Sequence, residues 1–248
     1  VTSTAWLFAS PRWKPWQTNA PTQENSMITF RVIDTETTSF EGGIVEIASV
    51  DIVNGEICNP MSDFVKPPEP ISFEAMAIHH ITEEMVADAP PIDDVIDKYL
   101  GAEVYVAHNA AFDREKLPMI AGPWVCTLKL SRKLWPEGGH GNQYLRYAKD
   151  INPFVPEGLY PHRALYDCYV TAAILLRMNK EARWTVSQMR EITNSPSLLH
   201  VMPFGKHKGK TFVEIAGIDA GYFRWLLGQS DVSEDLAFTV KQAMGAMF

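Results

Sequence analysis

The sequence predicts an α/β fold: a mixed sheet flanked by helices, followed by a small C-terminal module. Three observations carry this. Strand-like apolar runs stand next to one another early in the chain and are separated by helical segments later, so some strands pair directly and others need crossovers. One long apolar-striped helix, "RALYDCYVTAAILLRM", is available to cover a sheet face. After "TNSPS" (193–197) the composition shifts to glycine, lysine and aromatic residues. At 248 residues and 46% apolar, the chain holds enough hydrophobic sequence for one substantial domain and an appendage.

Taken in order, "MITFRVID" reads as the first strand and "GGIVEIASVDIV" as the second, entered through Gly42 and Gly43. "DFVKP" is a third strand before a proline-rich turn at 67–70. "SFEAMAIHH" is a short helix, and Thr82 sits where it would cap another at "EEMVA". "PIDDVIDKYL" has Ile92, Val95, Ile96, Tyr99 and Leu100 on one helical stripe, with Pro91 near its first turn. "EVYVAHN" is a strand; "AAFDREKL" is a helix with Asn109 in the capping place and Pro118 as its stop. "WVCT" is a last short strand, and "LKLSRKLW" and "NQYLRYAK" are helical pieces around the turn Gly138–Gly141. In the long helix, Leu165, Cys168, Tyr169, Ala172, Leu175 and Leu176 form the buried stripe. The first domain is set at 27–194 and the C-terminal module at 199–248, where "MPFGKHKGKTF" reads as a hairpin or tight turn before two aromatic-rich helices.

A net charge of −8 argues against holding a polyanion by bulk charge, though not against a local basic groove or a cation held by acids. Three cysteines without C-x-x-C spacing argue against a disulfide framework or a structural zinc, which makes the reducing cytoplasm the expected location. No apolar run reaches the ~18 residues of a membrane span. Residues 1–26, with Trp6, Trp13 and Trp16 among prolines and little periodicity, read as a disordered N-terminal extension.

The chemistry begins at "RVIDTETTSF". Asp34 and Glu36 alternate around Thr35 at a strand end, so they share one face and repel unless a cation lies between them. Alone, the pair is either a metal site or two solvated acids. Asp113, in the first turn of the helix after "YVAHN", and Asp167, amid Tyr166, Cys168 and Tyr169 on the long helix, add two more acids. If all four converge, they make an oxygen cage suited to Mg²⁺ or Mn²⁺.

"DTET", "HNAAFD" and "HRALYD", in this order, resemble the three motifs of the DnaQ-like, DEDDh class of 3′→5′ exonucleases. The spacing from His162 to Asp167 matches the histidine subclass, and the tail from "FGKHKGK" to "GYFRWLL" resembles a bacterial exodeoxyribonuclease branch of that class. The resemblance implies a ribonuclease-H-like fold and a DNA partner with a free 3′ end, degraded to 5′-mononucleotides in DNA repair. It implies two Mg²⁺ ions (or Mn²⁺) on Asp34, Glu36, Asp113 and Asp167, with His162 as general base. It also implies that Thr37 and His79 lie near the terminal nucleotide, and makes Phe112 and Asn109 candidates for substrate contact, the first also a core residue and the second also a helix cap. Lys206 and Lys208 are candidate phosphate contacts, with Lys129, Arg132, Lys133 and Arg146 as a second basic region. RNA ends as the substrate, or end-binding without catalysis, are the alternatives, and the oligomeric state is left open.

Overall fold

The computed structural model describes residues 28–245; the expected extension over 1–26 lies outside the described residues. The strands are β1 (Phe30–Thr37), β2 (Ile44–Val53), β3 (Glu56–Phe64), β4 (Val104–Ala107) and β5 (Trp124–Cys126). They form one sheet in the order β3-β2-β1-β4-β5, antiparallel among the first three and parallel from β1 to β4 to β5. The helices are α1 (Phe73–His79), α2 (Glu83–Val86), α3 (Ile92–Val95), α4 (Ala110–Lys116), α5 (Thr127–Leu134), α6 (Asn142–Ala148), α7 (Ala164–Ala182), α8 (Val186–Asn194), α9 (Phe212–Leu227) and α10 (Glu234–Gly245).

The mixed, helix-covered sheet is as the element order predicts, with local corrections. Only Asp63 and Phe64 of "DFVKP" belong to the third strand, which starts at Glu56. Asn54 (φ 54°) and Gly55 (φ 82°) join β2 to β3 in a two-residue turn, both in the left-handed region that a tight hairpin needs. Pro60 inside β3 reads as a breaker, but β3 is the edge strand, where a missing N–H is tolerated. "PIDDVIDKYL" is not one α-helix: α3 passes into a 3₁₀ turn at Ile96–Tyr99. There the buried Tyr99 hydroxyl lies 2.6 Å from Asp63 Oδ2 and 3.1 Å from Ile47 O, an anchor that fixes the tighter winding. Thr82 and Asn109 occupy N-cap positions but make no side-chain cap bond. Helix α8 adds to the expected elements; its start is a capping box between Thr185 and Gln188.

Strand alternation sorts the core into two layers. Phe30 and Val32 of β1, with Ala48, Val50 and Ile52 of β2, pack against α7 through Cys168, Ala172 and Leu175. Ile33 and Ile47 point the other way, into a layer with Ala110, Leu117 and Tyr99. In the C-terminal part, Met202, Phe212, Ile215, Phe223, Leu226, Leu236 and Val240 form their own cluster. It meets the sheet domain through Asp235, which pairs with Arg132 at 2.5 Å and accepts the Ser197 N–H at 2.8 Å.

Candidate active site

The parity that sorts the core also sorts the acids. Asp34 and Glu36 share the β1 face of Phe30 and Val32, so they look toward α7, which carries Asp167 in its first turn. Ligand atoms of Asp34, Glu36 and Asp167 lie within 4.8 Å of one another. Thr35 points to the opposite layer, where α4 carries Asp113. Asp113 is 2% exposed, and its Oδ1 accepts the Thr35 hydroxyl at 2.9 Å. The structure thus brings three of the four expected carboxylates into one group and leaves Asp113 outside it, although its charge is the largest acting on Asp34. Asp34, Glu36, Asp167 and His162 line a cleft of about 380 Å³ together with His108 and residues 141–144. A larger cavity, about 970 Å³, lies elsewhere, between α5, α8 and the C-terminal module, and touches none of these acids.

The carboxylates are held under electrostatic tension. Burial, then the charges of Asp113 and Glu36, pushes Asp34 well above the ordinary carboxylate range. Burial, then the charges of Asp167 and Glu46, raises Glu36 to about 8. Burial raises Asp113 to about 7, against the downward pull of the Thr35 hydrogen bond. Asp167 is raised by burial and steadied by the His162 N–H at 3.0 Å and the Gln143 amide at 3.1 Å. An all-oxygen donor set whose anionic form is unfavourable by itself fits a hard divalent cation.

This has a consequence for stability. Because Glu36 and Asp113 bind protons more tightly folded than unfolded, their contribution is full below the unfolded values near ~4 and is lost as pH rises through about 7–8. His108, lowered to about 4 mainly by burial, acts oppositely, but only below a histidine's ordinary ~6.5. The expected result is a Tm that falls from about pH 6.5 to about 8.5 in EDTA, and a slope removed by Mg²⁺ or Mn²⁺; calorimetry in the two buffers measures it.

His162 is exposed and sits at φ 64°, immediately before α7, with its backbone N–H bound to Asp167 Oδ2. The next residue holds this turn in place. Arg163 donates through Nε and Nη2 to Glu46 at 2.9 and 2.6 Å, and Glu46 also accepts the Ala164 N–H at 3.0 Å, capping α7 from the strand it packs on. Glu46 is 2% exposed, so losing its partner strands a buried charge. Arg163→Met should cost about 2–3 kcal/mol, below the roughly 3–5 of a fully buried pair because Arg163 keeps one edge in solvent. Thermal melting should register this as a Tm lower by about 5–10 °C.

His79 is buried: its Nδ1 accepts the Ile81 N–H at 2.9 Å, leaving Nε2 to donate to Thr37 O at 3.3 Å. Burial lowers its pKa, so it is a neutral clasp on the end of β1. Thr37 turns its hydroxyl to Ser39 O at 2.7 Å. Asn109 is left-handed at φ 72°, and Phe112 is half-buried under Phe40, at a ring separation of 5.6 Å. Phe40 is 80% exposed in the β1–β2 loop; there a Cβ on Gly42 would come within 1.9 Å of Thr38 Oγ1, which is why the loop needs glycine. Lys206 is tied to Asp219 at 2.6 Å, while Lys208 is exposed. Much of the expected second basic region is used internally: Lys129 bonds Ser195 O, Arg132 pairs with Asp235, and Arg146 bonds the Tyr166 hydroxyl.

Sequence reading passed over Glu46, Arg163, His108 and Gln143. His108 bonds Thr127 Oγ1 at 2.9 Å and His140 O at 2.8 Å, which pins the glycine-rich turn that delivers Asn142 and Gln143 to Asp167. No local spacing announces these contacts. The one available signal is that Glu46 lies on the same strand parity as the core residues of β2 yet is charged.

A mixed sheet carrying a cleft of convergent carboxylates beside a histidine defines a phosphodiester-cleaving type of site, and the sequence matches the Exonuclease family over residues 32–175. The chain belongs to the exonuclease family. Residues 202–231 match a second family, described as the exodeoxyribonuclease X-like C-terminal region. Exodeoxyribonuclease 10 of Escherichia coli strain K12 is 53% identical over 212 residues, covering 85% of this chain and 96% of that protein. The structure of exonuclease X in complex with 5′ overhanging duplex DNA superposes with a TM-score of 0.65 at 56% identity, covering 66% of this chain and 99% of that one. The nuclease domain of 3′hExo, a DEDDh family member bound to rAMP, shares the fold (TM-score 0.52, 17% identity, 64% of this chain and 96% of that one). The ribonuclease-H-like fold expected from the motifs is therefore the observed one. Among the described residues no helix is long and apolar enough to cross a membrane.

Proposed function

We propose that this chain is a divalent-cation-dependent 3′→5′ exodeoxyribonuclease that releases 5′-mononucleotides from DNA ends, with a role in DNA repair. The observation that carries the reading is the carboxylate group of Asp34, Glu36 and Asp167 within 4.8 Å, open to a cleft that also admits His162. The 53% identity to an exodeoxyribonuclease, and the likeness to a relative solved on DNA, support DNA as the substrate. Asp34, Glu36 and Asp167 would hold Mg²⁺, or Mn²⁺ in its place, with Asp113 completing the charge for a two-ion site. Cations bound there supply Lewis acidity toward the scissile phosphate and the attacking water. His162, on its exposed turn, takes the proton from that water; its backbone N–H at the same time fixes Asp167. His79 and the Thr37 backbone hold the strand end rigid, as a site that positions a 3′ terminus requires. Three free cysteines, two of them buried, suit a reducing compartment, so the cytoplasm is the proposed location.

The test is product analysis. With Mg²⁺ and a DNA oligonucleotide bearing a free 3′-hydroxyl, mass spectrometry should find 5′-monophosphates and no 3′-phosphates. Products bearing 3′-phosphate, or loss of nucleotides from the 5′ end, would sink the reading.

A further inference from the structure

We infer that the C-terminal module carries a single-strand DNA platform built on Trp225, separate from the carboxylate cleft. Trp225 is 56% exposed, although it is large and aromatic. Its ring lies 5.3 Å from that of Tyr222, with the planes 31° apart. Tyr222 itself is buried and fixed from several sides. His207 meets it edge-on at 4.8 Å, and a Cβ on Gly205 would fall 2.9 Å from its hydroxyl, so only glycine lets the 205–207 turn approach. The exposed indole therefore rests on a rigid aromatic base.

The local backbone is shaped for this. Helix α9 breaks at Asp219 (φ −156°, ψ 60°) and restarts with Asp219 Oδ1 accepting the Tyr222 N–H at 3.2 Å. Oδ2 of the same carboxylate binds Lys206 at 2.6 Å and His207 at 3.0 Å, which ties the lysine-rich turn to the restarted helix. Lys206 Nζ then lies 5.1 Å from the Tyr222 ring centroid. Lys208 and Arg224 are exposed and make no ion pair among the described residues.

An exposed indole on a fixed ring, with the Lys206 ammonium over that same ring, is complementary to an unpaired base on a phosphate backbone. A paired base hides its faces, so the platform selects single strands. The inference rests on the reading that the chain acts on DNA, and it places a hold on the strand away from the reacting 3′ end.

The test uses the full chain in EDTA, with fluorescence anisotropy of a labelled oligothymidylate and of a blunt duplex of equal length. Trp225→Ala should weaken single-strand binding about tenfold, as one lost base stack does, and leave duplex binding unchanged. Trp225→Phe should restore most of the loss, and melting curves of both variants check the fold. Unchanged single-strand affinity in Trp225→Ala would overturn the inference. Equal losses on single strand and duplex would overturn it in favour of a general electrostatic contact. A wild-type chain that binds single strands through Trp225 but releases no nucleotide in Mg²⁺ would overturn the nuclease reading and leave the platform standing.

Discussion

Asp34→Asn should abolish nucleotide release, with a rate loss beyond the roughly 10²–10⁴ that a missing general base costs, while the metal-free protein becomes more stable at alkaline pH. Both effects have one cause. Asp34 is crowded by Asp113 and Glu36 in a buried setting, so its charged form is unfavourable until a cation neutralises it. An amide keeps the shape, removes the repulsion and removes a ligand. Single-turnover cleavage and Mn²⁺ titration should show activity and cation affinity falling together, and melting in EDTA near pH ~8 should show a higher Tm than wild type. Asp167→Ala should lose activity as fully, but it is the less clean variant. It also releases the His162 N–H and the Gln143 amide, so loop and cation effects mix.

His162→Asn should slow the single-turnover rate by about 10²–10⁴ with cation affinity kept. Asparagine is the informative substitution because the position is left-handed, at φ 64°, a conformation asparagine adopts more readily than most residues. The backbone N–H that binds Asp167 is also unaffected by the side chain. A drop confined to the chemical step marks His162 as the proton acceptor. A parallel loss of cation affinity would instead mark it as a prop for Asp167.

Much of this site is legible in the sequence because it obeys short-range periodicities. Asp34 and Glu36 share a face by strand alternation, and Asp167 stands in the first turn of a helix whose apolar stripe has one obvious place to pack. The same alternation sends Thr35 to the opposite layer, where its hydroxyl bonds Asp113 outside the group of three, a detail visible only once α4 and α7 are known to lie on different faces. What stays hidden is long-range. Glu46 capping α7 through Arg163, and His108 pinning the turn that brings Gln143 to Asp167, join residues far apart in sequence with no motif between them. The hairpin turn at Asn54–Gly55 has the residue types such a turn needs, and the strand after it carries Pro60 at the sheet edge, where a proline is tolerated.

The most direct test of the central claim follows a single-stranded DNA oligonucleotide labelled at its 5′ end, with Mg²⁺, with EDTA, and with the Asp34→Asn chain. The predicted result is a ladder of labelled fragments shortening stepwise from the 3′ end, absent in EDTA and absent in the variant. An intact DNA band beside a shortening RNA of matched sequence would contradict the assignment of DNA as the substrate. A ladder that persists in EDTA or in Asp34→Asn would contradict the carboxylate site itself.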